Sequence, residues 1–299
     1  MMKIKKYAAI DVGSNAVRLL IANVIIEKDK ETLYRKSSLV RVPIRLGADS
    51  FVKGSISDTN VKRMIDAMNA FQLLMNINDV ERCKACATSA IREAGNGQET
   101  VRAIFEKTGI KIDIIDGKEE AAIIASTDLN ELIESDFTYL YVDVGGGSTE
   151  FTIFSKGKIV TSKSFKMGTV RLLNNDKATN KRIFKEVEHW IKSNTNSFKK
   201  ISLIGSGGNI NKIFKMSGRP LGKPLSYIYL KAHYQFLKQM SYNERITELG
   251  LNPDRADVII PATKIYLSAM KWSGAQKIYV PKIGLSDGII KGLHLGKFD

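Results

Sequence analysis

The run Asp143-Val144-Gly145-Gly146-Gly147-Ser148-Thr149-Glu150 sets two acids on either side of a glycine-serine turn. Glycines at Gly145, Gly146 and Gly147 carry no Cβ, so backbone amides can approach a phosphate closely and take positive φ. Ser148 and Thr149 add hydroxyl donors. Asp143 at a strand end and Glu150 across the turn can converge on a hydrated divalent cation; Mg²⁺ is usually held this way, by carboxylate, water and substrate phosphate. Asp11-Val12-Gly13-Ser14-Asn15 has the same plan with fewer glycines. Asp11 could bind the metal through water, and Gly13, Ser14 and Asn15 could donate to phosphate oxygens. Arg18 could reach phosphate or pair with an acid, and the sequence leaves both open. The expectation is that these two loops face each other across one phosphate- and metal-binding cleft.

Two further segments follow a strand and open a helix, where amides favour anions. In Ala87-Thr88-Ser89-Ala90-Ile91-Arg92, the arginine adds a fork that can grip phosphate bidentately. In Gly205-Ser206-Gly207-Gly208-Asn209 the glycines suit a phosphate chain or a nucleotide. An ordinary capped helix and a tight turn are the bland alternatives. Gly117-Lys118-Glu119-Glu120 precedes an apolar helix. Its paired acids either complement the helix dipole or supply one acid that orients a water. Spacing does not separate these. Cys83 and Cys86 lack the partners of a zinc site and read as buried or half-buried strand thiols.

These residues need elements to hold them. Ala8–Ile21 and Leu140–Ile153 both run strand, acidic Gly-Ser turn, strand, which is a hairpin with a polar tip repeated in tandem. Helical patterns cover Asp58–Met75, Gln98–Lys107, Glu119–Ile133, Lys181–Ser197, Gly208–Met216, Tyr229–Met240, Arg255–Trp272 and Ile283–Lys297. Single strands are expected at Arg82–Thr88, Lys111–Ile115, Ser202–Gly205 and Lys277–Val280, with Asp58 and Ser89 as helix caps. Hairpins followed by helix–strand alternation predict an α/β fold of two lobes, each a mixed sheet covered by helices. The boundary falls within or just after the Glu119–Ile133 helix.

With 299 residues, 43% apolar and 26% charged, the chain has a soluble globular composition and no run long enough for a membrane span. The basic start is interrupted by Asp11 too early for a signal peptide, so a cytoplasmic protein is expected. The net charge of +15 suits polyanions. Because it is spread without a basic arm, nucleic-acid binding ranks low.

The motifs at Asp11–Asn15, Ala87–Ala94, Glu119–Ala121, Asp143–Glu150, Arg255–Ile259 and Gly284–Gly288 keep their order over nearly the whole chain. Together they resemble the exopolyphosphatase / guanosine pentaphosphate phosphohydrolase (Ppx/GppA) phosphatase family in a short form. The resemblance implies the duplicated ribonuclease-H-like, actin-like fold. Residues 1–127 would form the first lobe and 128–284 the second, with a helix at about 285–299 returning to the first. It implies that Glu120 activates water, and that Asp143 and Glu150, with Asp11, position Mg²⁺ or Mn²⁺ and the water. Ser14, Asn15, Arg92, Gly145, Gly146, Gly147, Ser148, Ser206, Gly207 and Gly208 match phosphate positions. The implied reaction is release of orthophosphate from polyphosphate or guanosine pentaphosphate by a homodimer. An actin-fold kinase and a non-enzymatic alarmone or polyphosphate sensor are the alternatives. Three departures stand out. Asp116 replaces a common Ser, Asn209 replaces a common Thr, and the chain ends soon after Gly288, where longer members carry a helical domain.

Overall fold

The structure, a computed structural model, describes residues 2–127 and 137–298. Its first elements are β1 (Lys3–Val12), β2 (Val17–Ile26), β3 (Leu33–Val42), α1 (Leu46–Lys53), α2 (Asp58–Ile77), β4 (Arg82–Ala87), α3 (Ser89–Glu93), α4 (Gly97–Thr108), β5 (Ile112–Ile114) and α5 (Gly117–Ala125). There follow β6 (Thr138–Val144), β7 (Thr149–Ser155), β8 (Lys158–Phe165), α6 (Thr169–Asn174), α7 (Lys177–Thr195), β9 (Ile201–Ser206), α8 (Gly208–Met216) and β10 (Leu225–Ser226). The chain continues through α9 (Tyr227–Gln239), α10 (Tyr242–Thr247), α11 (Pro253–Ala256), α12 (Ile259–Ser273), β11 (Lys277–Tyr279) and α13 (Leu285–His294). No helix among the described residues is long and apolar enough to cross a membrane.

Two compact units result, Met1–Thr127 with Gly284–Asp299, and Asp128–Ile283. In the first, the strand order is β3-β2-β1-β4-β5; β1, β2 and β3 form an antiparallel meander, and β4 and β5 join in parallel. The second repeats that plan as β8-β7-β6-β9-β11, with the short β10 antiparallel at the edge. Such a sheet, three antiparallel strands and then parallel ones, is ribonuclease-H-like, and its duplication makes the fold actin-like. The central strands β1 and β6 are buried on both faces over most of their length, as strands covered by helices must be. Edge strands β3 and β8 carry exposed lysines and hydroxyl residues instead, which blunts edge pairing.

Each unit has its own core. In the first, Ile10, Leu19 and Ile21 of the sheet meet Met64, Met68 and Phe71 of α2. In the second, Leu140, Val142, Phe151 and Ile153 meet Val187, Ile191, Ile265 and Tyr266. The C-terminal helix α13 packs on β1 and α5. Gly288 permits this approach, because a Cβ there would strike the Ile123 carbonyl. Asp287 accepts from the Gly284 amide at 3.0 Å and pairs with Lys36 at 2.7 Å, so the Gly284–Gly288 motif anchors the returning chain.

Several local expectations need correction. Ser57, not Asp58, caps α2, and Thr88, not Ser89, holds the cap position of α3. The single helix expected over Arg255–Trp272 is broken into α11 and α12. Pro261 has no N–H to give the Asp257 carbonyl, and Arg245 takes the Ala256 carbonyl. Cys86 is buried, with its thiol pushed up to about 12 by burial, whereas Cys83 is exposed on β4. Beyond Thr127 the helix expected to reach Ile133 lies outside the described residues.

Candidate functional site

In the first unit β1, β4 and β5 run parallel, so the segments that follow them emerge on one edge of the sheet. Ligands of open α/β sheets bind at this carboxyl edge. Ladder bonds continue past the strand ends, from Thr88 N–H to the Val12 carbonyl at 3.2 Å and from Ile115 N–H to the Ala87 carbonyl at 3.0 Å. A buried bond of 3.0 Å joins the Ser14 and Ser89 hydroxyls, tying the Asp11–Asn15 turn to α3. Ser89 is the first residue of α3 itself, and its hydroxyl bonds across the sheet edge. Behind the turn, Gly47 N–H donates to the Ser14 carbonyl at 2.8 Å and Arg45 N–H to the Asn15 carbonyl at 3.2 Å. Arg18, the register partner of Asp11, pairs with its carboxylate at 2.9 Å. Of the two roles open to Arg18, pairing with an acid is the one the fold adopts.

The β5–α5 turn gives the paired acids different surroundings. Asp116 accepts from the amides of Lys118 and Glu119 at 2.7 and 2.8 Å, and Glu119 reaches back to the Asp116 amide at 2.9 Å. This is a complete capping box. Those amides, with a smaller contribution from Arg92, hold the Asp116 carboxyl below its ordinary range. Aspartate thus does the capping work that a serine could do there. Glu119 is used up in the cap and exposed, while Glu120 is half-buried with Oε2 shielded from solvent. Arg92 donates to the Ile115 carbonyl at 2.6 Å, so its guanidinium stands at the entry to the same turn.

In the second unit the glycine loop is oriented by a segment with no obvious sequence signal. The amides of Thr169 and Val170 donate to the carbonyls of Gly145 and Gly146 at 3.0 and 2.9 Å, and Arg171 Nε donates to the Gly147 carbonyl at 2.9 Å. In a trans peptide the carbonyl and the next N–H point opposite ways. Three consecutive carbonyls held toward α6 therefore turn the N–H groups of Gly146, Gly147 and Ser148 the other way. Amides aligned like this form an anion-binding concavity. Gly168 backs this loop so closely that a Cβ would overlap the Gly146 carbonyl and the Gly147 amide. Gly168→Ala should accordingly destabilise the protein by about 1–3 kcal/mol, the usual cost of overpacking, and depress anion binding; thermal melts and calorimetry check both effects.

Asp143 and Glu150 are register partners on β6 and β7. Glu150 is 2% exposed. Its Oε1 accepts from Ser148 at 2.7 Å and Ser164 at 2.8 Å. Asp143 also pairs in register with Ser206 of β9, bringing the second glycine turn alongside. Gly207 there has φ 114, a backbone conformation open to glycine. Ser206 donates its hydroxyl to the Ile283 carbonyl at 2.8 Å. Asn209 is buried in the first turn of α8, with Oδ1 lacking a hydrogen-bond partner among the described residues.

Among the described residues no group of three or more His, Cys, Asp or Glu forms a ready metal cage. Magnesium does not need one, since it keeps several waters and takes one or two carboxylates plus phosphate oxygens. The adjacent carboxylates of Asp143 and Glu150, beside an anion concavity, fit that donor set.

A duplicated ribonuclease-H-like fold with acidic, amide-rich turns at the strand ends of each unit defines an α/β protein of the actin-like class. The chain belongs to the Ppx/GppA phosphatase family, whose pattern matches residues 24–296. It is 30% identical to a bifunctional 3-dehydroquinate synthase/phosphatase of Fusobacterium nucleatum, over 96% of this chain and 46% of that protein. It is also 30% identical to exopolyphosphatase 2 of Mycobacterium tuberculosis, over 57% of this chain and 54% of that protein. The chain thus spans about half the length of these two relatives. In fold it is similar to an exopolyphosphatase from Cytophaga hutchinsonii, with a TM-score of 0.86, 24% identity and 98% of each chain covered.

Proposed function

We propose that this protein is a metal-dependent phosphohydrolase that releases terminal orthophosphate from inorganic polyphosphate, with guanosine pentaphosphate as a second candidate substrate. The observation that carries the reading is the division of roles in the α5 cap. Glu119 closes the capping box, and Glu120 is half-buried beside the turn that Arg92 grips. Exopolyphosphatase names among the relatives support the substrate class.

In this reading a water oxygen attacks the terminal phosphorus while Glu120 accepts the water's proton. The bond from that phosphorus to the bridging oxygen breaks, and its electron pair leaves with the shortened chain. Arg92 holds the terminal group; the donors proposed for phosphate oxygens are Ser14 and Asn15 in the first unit, and Gly146, Gly147, Ser148, Gly207 and Gly208 in the second. Asp143 and Glu150 would hold Mg²⁺ or Mn²⁺, which would neutralise charge on the phosphate. A cytoplasmic homodimer completes the proposal.

The test is orthophosphate release from short polyphosphate, long polyphosphate, guanosine pentaphosphate and ATP, with Mg²⁺ and with a chelator. Release from polyphosphate that the chelator stops is expected. Phosphate appearing without any acceptor also separates hydrolysis from kinase chemistry. Tight binding of these anions with no release from any of them would overturn the hydrolase in favour of a sensor.

A further inference from the structure

A buried tyrosine far along the chain completes the anion site of the second unit. Tyr266, on α12, is 0% exposed. Its hydroxyl donates to the Ser206 carbonyl. Asp143 and Ser206 are the last paired residues of β6 and β9, so the phenol sits where the two strands part. Both turns begin there: Gly145-Gly146-Gly147 after β6 and Gly207-Gly208 after β9.

We propose that Tyr266 is a positioning residue that holds the two anion turns of this unit in register. The peptide geometry that orients the glycine loop applies again. With the Ser206 carbonyl held toward Tyr266, the Gly207 N–H must point the opposite way. Arg171 and α6 set the amides of the first turn, and Tyr266 sets that of the second. The space around it is already tight. A Cβ on Gly207 would lie 2.8 Å from the Val144 carbonyl and 3.2 Å from the Tyr266 hydroxyl. A side chain at residue 207 would therefore crowd both the Val144 carbonyl and the phenol. Burial, and then the charge of Asp143, raise the phenol well above its ordinary pKa, so it stays protonated and able to donate.

The inference rests on the phosphate reading of these turns, and the test keeps the two apart. Tyr266→Phe removes the donor and keeps the ring. Calorimetry with tripolyphosphate in Mg²⁺ should show affinity about tenfold weaker, the effect of about 1.4 kcal/mol, and the KM for polyphosphate should rise more than kcat falls. A purely structural tyrosine would lower the melting temperature and leave affinity and KM of the folded protein unchanged, which would overturn the proposal. If wild-type protein binds no tripolyphosphate, the phosphate reading itself fails. Should Tyr266→Phe not fold, hydrogen exchange on the wild type decides. Peptides covering 141–148 and 203–209 should gain protection together on adding tripolyphosphate, and protection of only one overturns the clamp.

Discussion

Glu120→Gln is expected to lower the rate of phosphate release by roughly 10²–10⁴-fold, the usual contribution of a positioned general base, while KM stays close to wild type. The substitution keeps the size and hydrogen-bonding length of the side chain and removes its ability to take a proton. Because Glu119 and Asp116 form the capping box between themselves, α5 should remain capped and the melting temperature nearly unchanged. Glu119→Gln is the matched control, with a small loss in stability and little loss in rate. A Glu120→Gln enzyme turning over at the wild-type rate would remove Glu120 from the proton-accepting role. Steady-state phosphate release with a parallel thermal melt reads both outcomes.

Asp143→Ala should be as severe, and its signature should differ. Asp143 is flanked in register by Glu150 on one side and Ser206 on the other. Its loss removes one carboxylate of the pair assigned to the metal and leaves buried Glu150, whose Oε1 is already bound to two serines. Activity should fall by roughly 10³-fold, in line with removal of a charge-stabilising group from a water-poor site. The residual rate should no longer respond to Mg²⁺ concentration, whereas Glu120→Gln should keep its metal response. Equilibrium Mg²⁺ binding, measured without turnover, provides the second reading. An Asp143→Ala protein with an unaltered metal titration would exclude Asp143 as a ligand.

The two units differ in charge as well as chemistry. Unit 2 carries 24 lysines and arginines against 13 acids, and unit 1 carries 22 against 18. Most of the +15 net charge therefore resides in the unit with the triple-glycine loop. Electrostatic attraction of a polyanion to that unit would be screened by salt.

Much was legible from residue order. The tandem hairpins at Ala8–Ile21 and Leu140–Ile153 are visible because a period-2 apolar run ending in Asp and a glycine turn is a local pattern. The helix Gly208–Met216 matches its expected limits, since the strand before it and the glycine turn punctuate it locally. Short helices without a strong pattern, such as α6 and α10, and the polar edge strands β3 and β8 were not foreseen, because little apolar periodicity marks them. The candidate anion turns, Arg92 and the acid pair at Glu119 and Glu120 could also be named from the sequence, by residue type and spacing.

What only the tertiary structure decided is how those groups are aimed. Which of Glu119 and Glu120 closes the cap depends on a side chain folding back on its own turn. The pairing of Arg18 with Asp11 follows from strand register, and the bond from Ser14 to Ser89 joins residues 75 positions apart. Gly168, Arg171 and Tyr266 carry no chemical signal in order along the chain. Arg171 lies in none of the motifs, and Tyr266 lies inside the helical pattern Arg255–Trp272 with nothing to single it out. Their roles arise because a peptide group has two faces: fixing its carbonyl from a distant element sets where its N–H points. Composition and spacing determine which groups are available for phosphate, and packing from elsewhere in the chain determines the direction in which they face.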